Sequence, residues 1–419
     1  MKTVQEHKNG QYTMNNVQWK KIRFDEFFDM LPTNTLSRDK LNNQRGEYQN
    51  IHYGDVLIKY PYCLDCNNNE IPYINDGVKF NTAEVKDGDV IFADTAEDDT
   101  VGKCVEVLNV GDRKIVSGLH TYFCRPKYKL AAGYLGYFLN SNHFHNQLLP
   151  YIAGSKVSSV NRTSIARTYI SYPADLPIQR RIAAILSSAD KVIAATQKTI
   201  AKYKQIKQGM MEELLKPKEG WKMVKLGEVC AVNPKTDTTK VPDDDFVTFV
   251  RMEDVSNDGL IASFSERPYK SLQKKGFTIF QNDDVIFAKI TPCMENGKGA
   301  LVRNMKSKIC MGSTEFHVLI ACDNVSIDFI YQLTISKQFR QRAEMQMTGS
   351  AGQQRVPTAF LEDYLISIPF KNDKPDLTEQ RRIAAILSGI DAKIATGEKV
   401  LEKYEKVKKG LMERLLEEE

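Results

Sequence analysis

A stretch of 37 residues occurs twice in this 419-residue chain, and that duplication restricts the fold more than any other feature. Gln179-Arg-Arg-Ile-Ala-Ala-Ile-Leu-Ser187 returns letter for letter as Gln380-Arg-Arg-Ile-Ala-Ala-Ile-Leu-Ser388, at an offset of 201. Continued without a gap to Leu215 and Leu416, the two copies agree at 21 of 37 positions. An internal repeat fixes the architecture before any local signal is weighed, because each copy must form the same unit. Neither copy contains an internal proline, Asp175 and Asp376 suit helix N-caps, and Pro177 suits a first helical turn.

In the first copy, Ile182, Leu186, Ile193, Ile200 and Tyr203 fall on a line of alternating four- and three-residue steps. Ile383, Leu387, Ile394, Leu401 and Tyr404 keep the same register in the second. Sustained alternation of this kind is a coiled-coil seam, and the obvious mate for each helix is its own copy. Thr196 and Gly397 lie near the midpoints, where small residues let antiparallel helices approach closely. Lys207 and Lys408 occupy polar slots that either set the register or face solvent. At about 1.5 Å per residue, each helix is a rod of roughly 55 Å. The competing reading is an amphipathic helix folded onto its own domain.

The repeat is larger than the helix. Trp19-Lys-Lys-Ile-Arg-Phe-Asp-Glu-Phe-Phe is echoed by Trp221-Lys-Met-Val-Lys-Leu-Gly-Glu-Val-Cys, an alternation fit for a short strand. Gly88-Asp-Val-Ile-Phe-Ala93 matches Asp283-Asp-Val-Ile-Phe-Ala288, a turn feeding a buried strand. Tyr134–Leu149 and Ile327–Met345 have helical spacing, and Thr168–Tyr172 and Leu365–Pro369 have the character of strands. Between them lie matching polar loops, Gly154-Ser-Lys-Val-Ser-Ser-Val-Asn-Arg162 and Gly349-Ser-Ala-Gly-Gln-Gln-Arg355. The expected organisation is therefore a first α/β (or α+β) domain at 1–175, a spacer helix at 176–216, a second domain at 217–375 and a second spacer helix at 376–419. Paired antiparallel, the helices would give the tandem domains pseudo-twofold symmetry. Residues 1–16 are polar and are expected to fray.

Charge sharpens this division. The chain carries a net +5, yet each helical copy alone carries +4, so everything outside them totals −3. Any anion-binding surface on the globular parts must therefore be local. No stretch approaches the roughly 20 apolar residues of a membrane helix, and the polar start lacks the apolar core of a signal peptide. A cytoplasmic location, with the eight cysteines reduced, is the expectation.

Motifs for chemistry are mostly absent. The chain has no Asn/Asp-Pro-Pro-Tyr/Phe stretch of an amino-methyltransferase and no Gly-x4-Gly-Lys-Ser/Thr phosphate loop. Asp76 with Glu84-Val-Lys86 has nuclease-like spacing, but the second half places Ile279 and Gln281 at the corresponding positions. Asp284-x4-Lys289 fails likewise, because the first half has Asp94 where the second has Lys289. Cys63-Leu-Asp-Cys66 has zinc-ligand spacing without a second pair to complete a site, and His143-Phe-His145 reads as a helix-surface pair. No catalytic or metal-binding residue is assigned.

What remains is binding. Bases are read by Arg, Lys, Asn and Gln, and phosphates are held by Lys, Ser and backbone N–H groups. The polar loops supply these types as Lys156, Ser158, Ser159, Asn161 and Arg162, then as Gln353, Gln354 and Arg355. Such residues also populate ordinary loops. Their recurrence at corresponding places favours DNA binding.

Together, the Trp-Lys opening, the Gly-Ser loop, the Leu-x-x-Gln-Arg-Arg-Ile-Ala entry at Leu176 and Leu377 and the Gly-x-Met-Glu-x-Leu-Leu ending resemble the specificity (S) subunit of type I restriction–modification systems. The resemblance covers nearly the whole chain. It implies two target-recognition domains, each reading half of a bipartite, asymmetric site in double-stranded DNA. It also implies that the paired helices space the domains and dock two methyltransferase (M) subunits, with motor–nuclease (R) subunits completing the complex. S-adenosylmethionine, ATP and Mg2+ would serve that complex, with no cofactor bound and no catalysis performed by this chain. The alternatives are a DNA methyltransferase or nuclease with unrecognised motifs, and a coiled-coil adaptor that does not touch DNA.

Overall fold

The computed structural model describes residues 3–6, 12–15, 17–98, 100–154, 157–257, 259–273, 275–350 and 352–417. It divides into two compact units, Met1–Gln197 with Lys399–Glu419, and Lys198–Glu398. Each unit thus holds one globular domain, the segment of one long helix adjoining it and the far segment of the other.

In the first unit, one mixed sheet has the spatial order Phe28–Leu31, Thr121–Pro126, Val90–Ala93, Cys104–Leu108, Cys63–Asp65. Its pairs are antiparallel except the last. Val90-Ile-Phe-Ala93 is buried throughout, as an uninterrupted apolar run requires when both sheet faces are covered. A second sheet holds Ile115–Ser117 parallel to Gln49–Ile51. Trp19–Arg23 pairs antiparallel with Tyr169–Pro173, tying the start of the domain to the strand that feeds the long helix.

The second unit repeats this frame. Cys230–Val232, Phe316–Ala321, Val285–Ala288 and Gly299–Leu301 form the central sheet. Phe246–Val250 runs parallel to Cys310–Gly312 in the second sheet, and Trp221–Lys225 pairs with Leu365–Lys371.

Three expectations are corrected. Within residues 1–16, Thr3–Glu6 and Tyr12–Asn15 pair as antiparallel strands rather than fraying. Tyr134–Leu149 is not one helix but Tyr134–Leu139 and Asn142–Leu148. Ile327–Met345 likewise divides into Ile327–Thr334 and Lys337–Met345. The cause is the same serine in both. Ser141 Oγ accepts from Phe144 N at 3.3 Å and donates to Phe138 O at 2.6 Å, and Ser336 does the same with Phe339 N and Leu333 O. One hydroxyl closes one helix and caps the next.

Both repeat copies are single helices of 39 residues, Leu176–Leu214 and Leu377–Leu415. Asp376 caps the second, its Oδ1 accepting from Thr378 N and Glu379 N at 3.0 and 3.1 Å. Within the second unit the segments run antiparallel. Ile200 packs against Gly397, where an added Cβ would lie 2.9 Å from its Cγ1, and Lys207 pairs with Asp391. In the first unit Asp190 faces Lys408 in the same sense.

The seam is less uniform than the spacing suggests. Ile182 and Leu186 are fully buried in the first domain's core, with Phe24, Phe92 and Phe144, and Met412, Leu415 and Leu416 close the same cluster. Ile383 and Leu387 enter the second core beside Phe287, Phe329 and Met211. Each helix therefore opens as part of its own domain, and the end of the other helix is added to that core. Ile394 is buried, Ile193, Tyr203 and Leu401 are half-buried, and Tyr404 is 39% exposed, so it lies on the outer face. Each aliphatic side chain buried this way contributes about 1.5–3 kcal/mol, which fixes the helix to its domain more firmly than a seam alone would.

Candidate nucleic-acid interface

The two Gly-Ser loops are closed in the same way, the second being one residue longer between its closing pair. Ala153 and Ser159 exchange backbone hydrogen bonds of 3.0 and 2.8 Å, and Thr348 and Arg355 exchange bonds of 3.0 and 2.8 Å. Gly154 and Gly349 turn the chain at φ 132° and 131°. A Cβ at Gly154 would collide with the Val157 carbonyl, and one at Gly349 would lie 2.7 Å from the Gln353 carbonyl, so only glycine fits. Each turn is fastened to the segment after the central buried strand. Ser158–Ser159 pairs with Thr95–Ala96, and Arg355 bridges to Ile290.

Below each turn a side chain from the central sheet braces the chain leaving it. Tyr122 Oη donates to Val160 O at 3.0 Å, and His317 Nε2 meets Val356 O at 2.8 Å. The His317 ring is held on its other side by Asn233 Nδ2, 3.0 Å from Nδ1. That arrangement suits a neutral imidazole donating from Nε2 and accepting at Nδ1, and burial pushes its pKa down to about 4.

In the second domain these groups border a groove of about 510 Å³ lined by Lys289, Arg355, His317, Thr278, Thr314 and Thr358. Arg355 grips Glu315 through Nε and Nη2, at 3.0 and 2.8 Å, and its Nη1 donates to Gln353 O at 3.1 Å. Hydrogen bonding from Arg355 holds the Glu315 carboxyl below its usual range. Lys289 is half-buried, and its ammonium makes no hydrogen bond or ion pair among the described residues. The groove therefore offers one uncommitted cation, hydroxyls of both hydrogen-bonding senses and a guanidinium already oriented. This is a chemistry for base edges and phosphates.

Of the residues expected to contact DNA, Lys156 lies outside the described residues. Ser158 and Ser159 stand on the short strand, Ser159 exposed. Asn161 is committed locally, its Oδ1 capping the following helical turn by accepting from Ser164 N at 2.8 Å. Arg162 is exposed, with Nη2 donating to Met30 O at 3.0 Å. Gln353 is exposed and Gln354 half-buried beside Arg355. The loop residues are thus brought together within each domain, but Asn161 and Arg355 serve the loop's own shape as well.

The helices are joined to the domains by polar contacts. Gln179, fully buried, accepts from Ala131 N at 2.8 Å and donates to Pro173 O at 2.7 Å. Gln380 accepts from Ser326 N at 2.9 Å. Lys408 is buried, ion-paired to Asp190, with Nζ 3.5 Å from the centre of the Tyr62 ring. Asp190 also accepts from Tyr137 Oη at 2.6 Å. In the second unit Lys207 pairs with Asp391 at 2.5 Å, and Gln332 Nε2 donates to the same carboxylate at 3.1 Å.

The sequence pattern described as the type I restriction modification DNA specificity domain matches this chain twice, at residues 16–205 and 218–406. The chain belongs to this family. Each match contains one glycine turn, the side chain that braces it and most of one long helix.

Relatives of the family point the same way. A stretch of 171 residues is 37% identical to the type I restriction enzyme EcoEI specificity subunit of Escherichia coli, covering 41% of this chain and 27% of that protein. Another of 202 residues is 38% identical to the EcoAI specificity subunit of the same species, covering 47% and 32%. The matched stretches thus span about a third or less of those relatives. The putative type I restriction enzyme MjaX specificity subunit of Methanocaldococcus jannaschii is 24% identical over 348 residues, 78% of this chain and 77% of that protein. The crystal structure of the type I restriction–modification S subunit from M. genitalium shares the fold, with a TM-score of 0.55 at 13% identity over 97% of this chain and 98% of that one.

Several members of the specificity-domain machinery were not singled out from sequence. Gln179 and Gln380 stand inside the repeated motif, yet their burial is not visible in a polar letter. Asp190 and Asp391 recur at the same offset of 201 as their lysine partners, and that shared offset was the available signal. Lys289, Thr278, Thr314 and Thr358 are far apart in sequence and meet only through the sheet.

Proposed function

We propose that this chain is the DNA-recognition subunit of a type I restriction–modification complex, in which each specificity domain reads one half of a bipartite target. The observation that carries this reading is the duplicated frame with unlike contents. Two domains share their paired strands and glycine turn, while the side chains around the turn differ, Ser159 against Arg355 and Asp94 against Lys289. Identical frames with different side chains suit two readers of different sequences, so the target is asymmetric. Direct readout in the major groove discriminates all four base pairs through the pattern of donors and acceptors presented there.

In this reading the paired helices hold the readers at a fixed separation and carry methyltransferase subunits. Val400, Tyr404 and Val407 are 38%, 39% and 49% exposed and share one face of the second helix, an apolar surface that suits a partner helix. The chemistry on DNA, with S-adenosylmethionine, ATP and Mg2+, then belongs to methyltransferase and motor–nuclease partners, in a cytoplasmic complex.

The test is selection of bound duplexes from a random library by the purified chain together with its methyltransferase partner. Enrichment of one asymmetric sequence of two blocks with a fixed gap is expected. Sequence-independent binding, or no binding, would leave the coiled-coil adaptor as the better account, and cleavage or methylation by the chain alone would favour an enzyme.

A further inference from the structure

One position in the shared frame carries opposite charges in the two domains. Asp94 and Lys289 each follow the strand Val-Ile-Phe-Ala, at Val90–Ala93 and Val285–Ala288. Their backbones are held identically. Asp94 N donates to His120 O and Asp94 O accepts from Val160 N, while Lys289 N donates to Glu315 O and Lys289 O accepts from Val356 N, all at 2.9–3.2 Å. The residue across the slot is exchanged too, His120 in the first domain and Glu315 in the second.

Neither side chain is hydrogen-bonded by its own protein partners, although His120 lies within ion-pair reach of Asp94. Asp94 Oδ1 is buried without a hydrogen-bond partner among the described residues, and the His120 Nδ1 atom stands 3.4 Å away, too far for a good bond. A buried acceptor left unpaired is costly, so the site suits an arriving donor. Lys289 presents an uncommitted ammonium to the groove, and the Arg355–Glu315 pair beside it is already satisfied. A carboxylate repels phosphates, so near DNA it is suited to a base edge rather than the backbone. An ammonium suits either, but at a position equivalent to a base-reading carboxylate it faces a base.

We infer that Asp94 and Lys289 are the corresponding base-reading residues of the two domains. The first accepts from the exocyclic amino group of a cytosine or adenine, and the second donates to the O6 and N7 acceptors of a guanine. This rests on the proposed function, because it assumes that the turn-bearing face of each domain meets the major groove. His120 and Arg355 act as positioning residues that hold the slot's shape. The exchange of charge then makes the two half-sites unlike at one equivalent step, whatever the other positions read.

The experiment is library selection with the chain and its methyltransferase partner, comparing wild type with Lys289→Met, Lys289→Arg and Asp94→Asn. Lys289→Met should relax one guanine in the second half-site by about 10- to 100-fold and leave the first half-site unchanged, as loss of one specific base contact does. Lys289→Arg should retain that guanine. Asp94→Asn should broaden one position of the first half-site only. Uniform weakening across all sequences would mark Lys289 as a phosphate contact, and an unchanged motif with a lowered melting temperature would mark a structural role. Either result overturns the assignment. A wild-type complex that enriches no two-block motif would overturn the underlying function, and this inference with it.

Discussion

Lys408→Met tests how the helix pair is locked to the first domain. The lysine side chain is only 8% exposed, pairs with Asp190, and lies over the Tyr62 ring. Removing it strands a carboxylate that is 27% exposed and still accepts from Tyr137. Breaking one partner of a buried pair costs about 3–5 kcal/mol, and the residual Tyr137 bond and solvent contact place this case at about 3. Methionine matches the aliphatic stem, so little cavity energy is added. For a unit of this size, with 1 kcal/mol worth about 2–4 °C, calorimetry should show its transition falling by about 6–12 °C. The double variant Asp190→Leu, Lys408→Met should recover part of that loss, because two apolar groups leave no unpaired charge even though Tyr137 Oη loses its acceptor. A single variant within about 0.5 kcal/mol of wild type, or a double variant no better than the single, would refute the buried-pair argument.

Gln179→Ala should cost about 2–3 kcal/mol by leaving Ala131 N and Pro173 O unpaired, and chemical denaturation would measure it. Gln380→Ala should cost less, since its second bond, to Asn324 O, is 3.5 Å long. Gly397→Leu should disrupt the helix pairing, because the added Cβ meets Ile200, and loss of helicity or a fall in Tm of several degrees would be read by circular dichroism. His317 supplies a pH dependence. Its folded pKa of about 4 lies below the unfolded value of 6.5, so between these the unfolded chain holds more protons and stability falls as pH drops. His317→Gln should remove that contribution, up to about 1.4 kcal/mol per pH unit across the window. If urea titrations at pH 7 and pH 5 separate variant from wild type by the same amount, the buried neutral ring is the wrong description.

The duplication made the architecture legible, because the flanking strands, the central buried strand, the glycine turn and the long helix each had a counterpart at an offset of about 195 to 202 to check them. The glycine turns were found from matching letters, and Gly154 and Gly349 share one conformation as that match implied. Helical spacing alone could not show that Ile182, Leu186, Ile383 and Leu387 enter domain cores, since a seam and an amphipathic face have nearly the same period. The helix break at Ser141 and Ser336 was concealed for a similar reason. Apolar spacing continues across it, while the stop is made by a hydroxyl hydrogen-bonding to the backbone. The groove was illegible because Lys289, Glu315 and Arg355 are gathered by strand order rather than by sequence.

Methylation mapping of cells carrying the exchange of residues 217–375 for the corresponding domain of a relative with a different target tests the central claim most directly. Two readers on one frame predict that one half of the methylated sequence changes completely, while the other half and the gap between them are retained. A motif altered in both halves, or altered in neither, would contradict the account.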